Sequence, residues 1–145
     1  MKLYVIIIIV SILLIYGLYY RKNPLTSKVR IGSNTFIVDV AVSPIEKMNG
    51  LSGRNSLAAN HGMLFVYDHK EQYEFWMKGM KFPLDFIFIA DRTVVDIAEN
   101  ILPPTSIFPA IVKPRISADK ILEVTAGTIR LTGIKIGDTV QFIDR

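Results

Sequence analysis

Four side chains carry most of the chemical potential of this chain: Arg54, Trp76, Asp85 and Glu123. Asp85 lies inside the apolar run Pro83–Ala90, and Glu123 lies inside Ile121–Val124. A carboxylate among such neighbours is costly unless something pairs with it. As a ligand site, Arg54 would hold an anionic or polar group and Trp76 would stack on a ring. Asp85 and Glu123 would accept hydrogen bonds or act as acid and base. As a structural set, Arg54 would form a bidentate pair with Asp85 or Glu123 and fix a loop against a sheet. Trp76, the only tryptophan, would then be core. Asp85 and Glu123 are the only candidates for catalytic work, and neither is assigned it.

Other chemistries find little support. The chain has no cysteine, which removes disulfides, zinc-thiolate sites and cysteine nucleophiles. Gly50-Leu51-Ser52-Gly53 lacks the spacing of a serine nucleophile elbow. No phosphate-cradling glycine loop occurs. His61 and His69 are the only histidines, and neither stands at a recognised metal-ligand spacing. Met63, Met77 and Met80 are soft enough for cuprous copper but are commoner as core filler. No metal and no cofactor is therefore expected. The net charge of +4 comes largely from Lys2, Arg21 and Lys22; without them 17 − 3 = 14 basic residues face 13 acidic ones. A domain at +1, with no basic run interleaved with aromatics, is not expected to bind nucleic acid.

Those three basic residues flank Leu3–Tyr20, an uncharged apolar stretch. As a helix it would span roughly 27 Å, about one hydrocarbon core. Tyr16, Tyr19 and Tyr20 gather at its end, where an aromatic belt would lie. No small-x-small cleavage pattern follows, which favours an uncleaved anchor over a removed signal peptide. Residues 1–22 are thus read as a single transmembrane anchor or uncleaved signal. Residues 23–36 form a linker and first strand, and residues 37–145 form the domain. Lys2 on one side against Arg21, Lys22, Lys28 and Arg30 on the other would put the domain in the cytoplasm by the positive-inside rule.

The elements that must position the four side chains are mostly strands. Val29–Val42 reads as a hairpin about Gly32-Ser33-Asn34, with Phe36, Val38, Val40 and Val42 on one face. Ser43-Pro44-Ile45-Glu46 has serine at N-cap, proline at N1 and glutamate at N3, a capping box that opens a short helix ended by Asn49-Gly50. Strands are expected at Met63–Tyr67, Tyr73–Met77, Leu84–Ala90, Thr93–Ala98, Lys120–Thr125 and Thr139–Ile143, with a charged turn at Asp68–Gln72. Gly127–Leu131 suggests one or two helical turns ended by Gly133. Glu99–Ala118 is long, irregular and holds Pro103, Pro104, Pro109 and Pro114. Such a loop is usually functional or a covering flap, and Ile107, Phe108, Ile111 and Val112 suggest that it packs on something. These elements predict a mainly β fold, a small antiparallel sandwich or barrel with one or two short helices as decoration rather than crossovers.

Five pieces in order carry a resemblance. They are Gly50-Leu51-Ser52-Gly53-Arg54, Gly62-Met63-Leu64-Phe65-Val66, Phe75-Trp76-Met77-Lys78, Pro83–Ile89, and Ile121–Gly127 ahead of Gly137-Asp138. Together they resemble the domain-of-unknown-function 192 family over roughly Ile37–Phe142. The resemblance implies a compact, mainly β domain, often behind a signal or anchor, with no established activity. It also implies a domain outside the cytoplasm, on a cell membrane, against the positive-inside count. Family members often carry methionine or another bulky residue where Ser52 stands, and an asparagine-threonine pair where Gly79-Met80 stand.

The expected function is a membrane-anchored accessory or binding domain, holding a small polar ligand or peptide in a cleft near Arg54, Trp76, Asp85 and Glu123. One alternative is a hydrolase- or lyase-type enzyme using Asp85 and Glu123 as paired carboxylates, although the residues lean away from an enzyme. Another is a protein-interaction module using the proline-rich loop.

Overall fold

The computed structural model describes residues 4, 6–14, 26–105 and 110–143. Residues 6–14 are helical and exposed. The remainder of the 3–20 stretch, Tyr4 aside, lies outside the described residues, as does the 22–25 linker. No helix among the described residues is long and apolar enough to cross a membrane.

Among the described residues nine strands and two short helices follow. They are β1 (Thr26–Ile31), β2 (Asn34–Ala41), α1 (Pro44–Asn49), β3 (His61–Glu71), β4 (Phe75–Trp76), β5 (Leu84–Ala90), β6 (Thr93–Ile101), β7 (Ile111–Val112), β8 (Ala118–Thr125), α2 (Thr128–Thr132) and β9 (Val140–Ile143). Seven strands form one sheet in the order β6-β5-β8-β3-β2-β1-β9, and β4 pairs with β7 in a separate ribbon. The sheet curls until its two edges touch. Thr93 of β6 bridges Thr139 just before β9. The Val94 N–H donates to the Asp138 carbonyl at 2.9 Å, and the Val140 N–H to the Arg92 carbonyl at 2.8 Å. The result is a curled, partly closed barrel rather than a sandwich, closure being one way to remove exposed sheet edges.

The sheet is not wholly antiparallel. β2 and β3 run parallel, with Asp39 beside Met63 and Ala41 beside Phe65. A parallel pair needs a crossover, so α1 and the loop to Asn60 form a working connection, not decoration. α1 begins as its sequence dictates. The Glu46 N–H donates to Ser43 Oγ at 3.3 Å, and the Ser43 N–H donates back to Glu46 Oε2 at 2.9 Å.

The curl divides the core in two. Inside it lie Val29, Val38, Leu64, Ile87, Leu122, Val124 and Ile129. Outside it, Met63, Phe65, Phe75, Met77, Phe86, Phe88 and Ile121 pack beneath the crossover and the β4–β7 ribbon. β5 and β8 are buried on both faces. The cross-strand partners Asp39, Met63, Glu123, Phe86 and Ala98 form one transverse row on the outer face. Gly62 lets β3 and β8 approach, since a Cβ there would lie 2.7 Å from the Glu123 carbonyl oxygen.

Three expected elements differ. Asp68–Glu71 continues β3, because Glu71 resumes the ladder opposite Ala118 after an irregularity that begins at Val66. The Tyr73–Met77 strand shortens to Phe75–Trp76, the only part with a partner strand, β7. The proline-rich segment supplies that partner, and its Val112 is buried while Ile111 is exposed. Ile107 and Phe108 lie outside the described residues.

Candidate functional site

The outer face of the sheet carries a cleft of about 110 Å³. Its floor is Glu123 of β8, Phe65 and Tyr67 of β3, and Leu84 of β5; its walls are Lys47 and Met48 of α1, the Gly50–Ser52 loop, and Trp76 and Lys78. Gly50 closes α1 at a φ of 48°, a left-handed value that favours glycine. A Cβ there would lie 3.3 Å from the Phe65 ring. Ser52 Oγ donates to the Lys78 carbonyl at 3.0 Å, and the Gly53 N–H donates to the Gly79 carbonyl at 2.9 Å. A Cβ at Gly79 would lie 2.2 Å from Ser52 Oγ. Ser52 and Gly79 therefore touch each other.

Glu123 is 5% exposed. Burial pushes its carboxyl up to about 8, because the charged form loses solvation and gains no partner. Among the described residues its carboxyl makes no hydrogen bond or ion pair. Among the described residues none of the fully inaccessible polar side-chain atoms lacks a partner, so the Glu123 oxygens reach the space of the cleft. Near neutral pH this group is largely a neutral acid, able both to donate and to accept. Tyr67 lies beside it, stacked on Tyr73 with centroids 3.6 Å apart and with Lys47 Nζ 4.1 Å from its own centroid. Its hydroxyl is pushed up to about 12 by burial, then by Tyr73 and Glu123.

Trp76 stands at the rim, 54% exposed. It lies at the cleft mouth rather than in the core. The remaining two sequence-selected residues lie elsewhere. Arg54 Nη2 donates to Asp39 Oδ2 at 2.6 Å, tying the crossover to β2, so the expected pairing of Arg54 with Asp85 or Glu123 does not form. Asp85 is fully buried on the inner face. Its Oδ2 accepts from the Ile129 N–H at 2.9 Å, and its Oδ1 from the Asn100 N–H at 2.8 Å. It thus caps the first turn of α2 from a distance. It also holds the β5–β6 irregularity between Leu84 and Phe86, where Asn100 has a φ of 52°.

Asp85 stands opposite Val124, and Glu123 opposite Phe86. Alternation puts the two carboxyl groups on opposite faces of one sheet, so they cannot serve one substrate as a pair. Sequence reasoning missed Tyr67 and Lys47. The aromatic spacing of Tyr67 and Tyr73 was the available signal. Among the described residues no three His, Asp or Glu side chains converge as a metal-ligand set. Met63 and Met77 are core side chains.

Residues 27–142 match the model of the DUF192 family, described as Uncharacterized ACR. The chain belongs to the DUF192 family. Two crystal structures resemble this DUF192 domain. One is a candidate transcription regulator from Sinorhizobium meliloti 1021, with 35% identity and a TM-score of 0.73, covering 81% of this chain and 93% of that one. The other is a protein of unknown function from Novosphingobium aromaticivorans DSM 12444, with 30% identity and a TM-score of 0.71, covering 80% and 83%. No functionally curated protein matches.

Proposed function

We propose that this DUF192 protein is a binding domain held at a cell membrane by residues 3–20, with the domain outside the cytoplasm, and that its outer-face cleft takes a small ligand through Glu123 and Trp76. The observation that carries this is the Glu123 carboxyl at the floor of an aromatic-lined cleft, with no partner among the described residues. A buried carboxyl that served only the fold would gain from saturation, as Asp85 does. The ligand chemistry is a compact apolar body with one polar group, a hydroxyl, amide or amine, directed at Glu123. Arg54 and Asp85 are positioning residues for the crossover and for α2.

The membrane anchor is supported by the uncharged 3–20 run, and by the helical residues 6–14 with side chains about half or more exposed. The near-neutral domain charge gives no support to nucleic-acid binding, whatever the assignment of the Sinorhizobium protein.

Trp76 is the only tryptophan, so its fluorescence reports on the cleft directly. A set of small alcohols, amides and amines, titrated into the full chain in detergent, should yield compounds that shift this emission saturably. Glu123→Ala should weaken them about tenfold or more. Neutral ligands should bind best below pH 8, where Glu123 keeps its proton, and amines above it. Hits whose affinity is indifferent to Glu123→Ala would remove the cleft from consideration as the site.

A further inference from the structure

The apolar surface around the cleft has a direction relative to the anchor. Thr26 pairs with Asp39, Asp39 with Met63, and Met63 with Glu123. The first described residue of the domain therefore lies on the same transverse row as the floor of the cleft, three strands away, about 14 Å at ordinary strand spacing. β1 runs antiparallel to β2. The N-terminal end of β1 thus lies at the same end of the hairpin as Ala41 and α1.

α1 has no buried residue. Val42 (49% exposed), Ile45 (63%) and Met48 (60%) present their side chains to solvent. Met48 lines the cleft together with Trp76, and Trp76 pairs across the ribbon with Ile111, which is 65% exposed. Ile45 stands one turn before Met48 on α1, so Ile45, Met48, Trp76 and Ile111 make an apolar rim, with Lys47 and Lys78 lining the cleft beside it. A rim of this composition, with tryptophan and lysine at an apolar border, is what a protein presents to a lipid headgroup layer. Residues 21–25 separate the apolar N-terminal run from β1, and five residues reach at most about 18 Å. The end of the domain bearing α1 is therefore held close to whatever surface the run enters.

We propose that this rim, Ile45, Met48, Trp76 and Ile111, rests on the surface of the same bilayer that residues 3–20 enter, so that the cleft opens at the lipid interface. The proposal rests on the anchor reading above. α2 supplies the contrasting position. Its Leu131 is 86% exposed, and the Thr132 carbonyl accepts from Asn34 Nδ2 at 3.4 Å, at the turn end of the β1–β2 hairpin, away from Thr26.

The chain has no cysteine, so Ile45→Cys and Leu131→Cys each give a unique attachment point for an environment-sensitive fluorophore. The labelled full chains are reconstituted into phosphatidylcholine–phosphatidylglycerol vesicles carrying a headgroup-proximal spin-labelled lipid. The label at position 45 should be quenched at least about twofold more than the label at 131, with bluer emission. Equal quenching at the two positions in chains that float with the vesicles and resist alkaline extraction overturns the docking and leaves the anchor standing. Chains that do not float with the vesicles overturn both.

Discussion

Two faces of one sheet treat a buried carboxyl in opposite ways. On the inner face Asp85 accepts two backbone N–H groups, from Ile129 and Asn100. On the outer face, one residue further along the same two strands, Glu123 has a cleft before it and no partner among the described residues. Both are nearly inaccessible, so burial alone does not separate a structural acid from a functional one. Saturation does. Asp85 is fixed by donors that belong to a helix terminus and a strand irregularity, and could not turn to a ligand without releasing both. Glu123 could gain a ligand without the fold losing anything.

The largest effect should come from the saturated side. Asp85→Ala leaves two backbone donors without an acceptor, and roughly 2–6 kcal/mol of stability should be lost, at 1–3 kcal/mol for each unsatisfied group. Chemical denaturation of the full chain measures it. A loss below about 1 kcal/mol would mean that water replaces the carboxylate and that the inner face is wetter than its packing implies.

The unsaturated side should respond with the opposite sign. In the unfolded chain Glu123 ionises near 4.5, whereas the folded value is about 8. Between those values the folded state holds a proton that the unfolded state has released. Its contribution to stability therefore falls as pH rises from about 4.5 to 8, and is level above that. Glu123→Gln removes the ionisation. At pH 9 it should stabilise the domain by about 3 kcal/mol, allowing for the retained polarity of the amide. At pH 4 to 4.5 it should change little. A variant whose melting temperature tracks the parent at every pH would show that Glu123 is already neutralised.

How much of this was legible in the sequence depends on what was local. The Ser43 capping box, the Gly127–Gly133 helix and the first hairpin depend on residues within a turn of one another, and they could be read directly. The parallel pairing of β2 with β3 could not, because nothing in either strand encodes its neighbour. The exposed residues Asp68–Glu71 looked like a turn because their ladder partner, Ala118, lies far along the chain. Asp85 and Glu123 were recognisable as unusual, but not as occupants of opposite faces. Strands buried on both sides carry no in–out alternation to read. Arg54 had several carboxylates within reach of speculation, and only the crossover's path selects Asp39.

Asp96 sharpens the contrast, because it shares the outer face with Glu123 and is nonetheless saturated. It pairs across the ladder with Phe88, and it is 3% exposed. It accepts from the Arg115 guanidinium and from the Arg115 N–H, the latter at 2.7 Å. The Arg115 side-chain hydrogen bond holds its pKa below the ordinary value, against burial and with help from the Arg115 and Ile97 backbone N–H groups. A lowered carboxylate contributes stability that is full above its unfolded pKa near 3.8 and is lost as pH falls through the folded value. Arg115→Ala removes the largest cause while leaving both backbone donors. The acid midpoint of unfolding should therefore move up by a fraction of a pH unit, with little change at neutral pH, since the guanidinium itself is solvent-exposed. Acid titration followed by circular dichroism would register it. If the midpoint stays in place, the two backbone donors suffice to hold Asp96. A carboxyl on this face would then be made structural by main-chain donors alone, and Glu123 would differ from it only in having none.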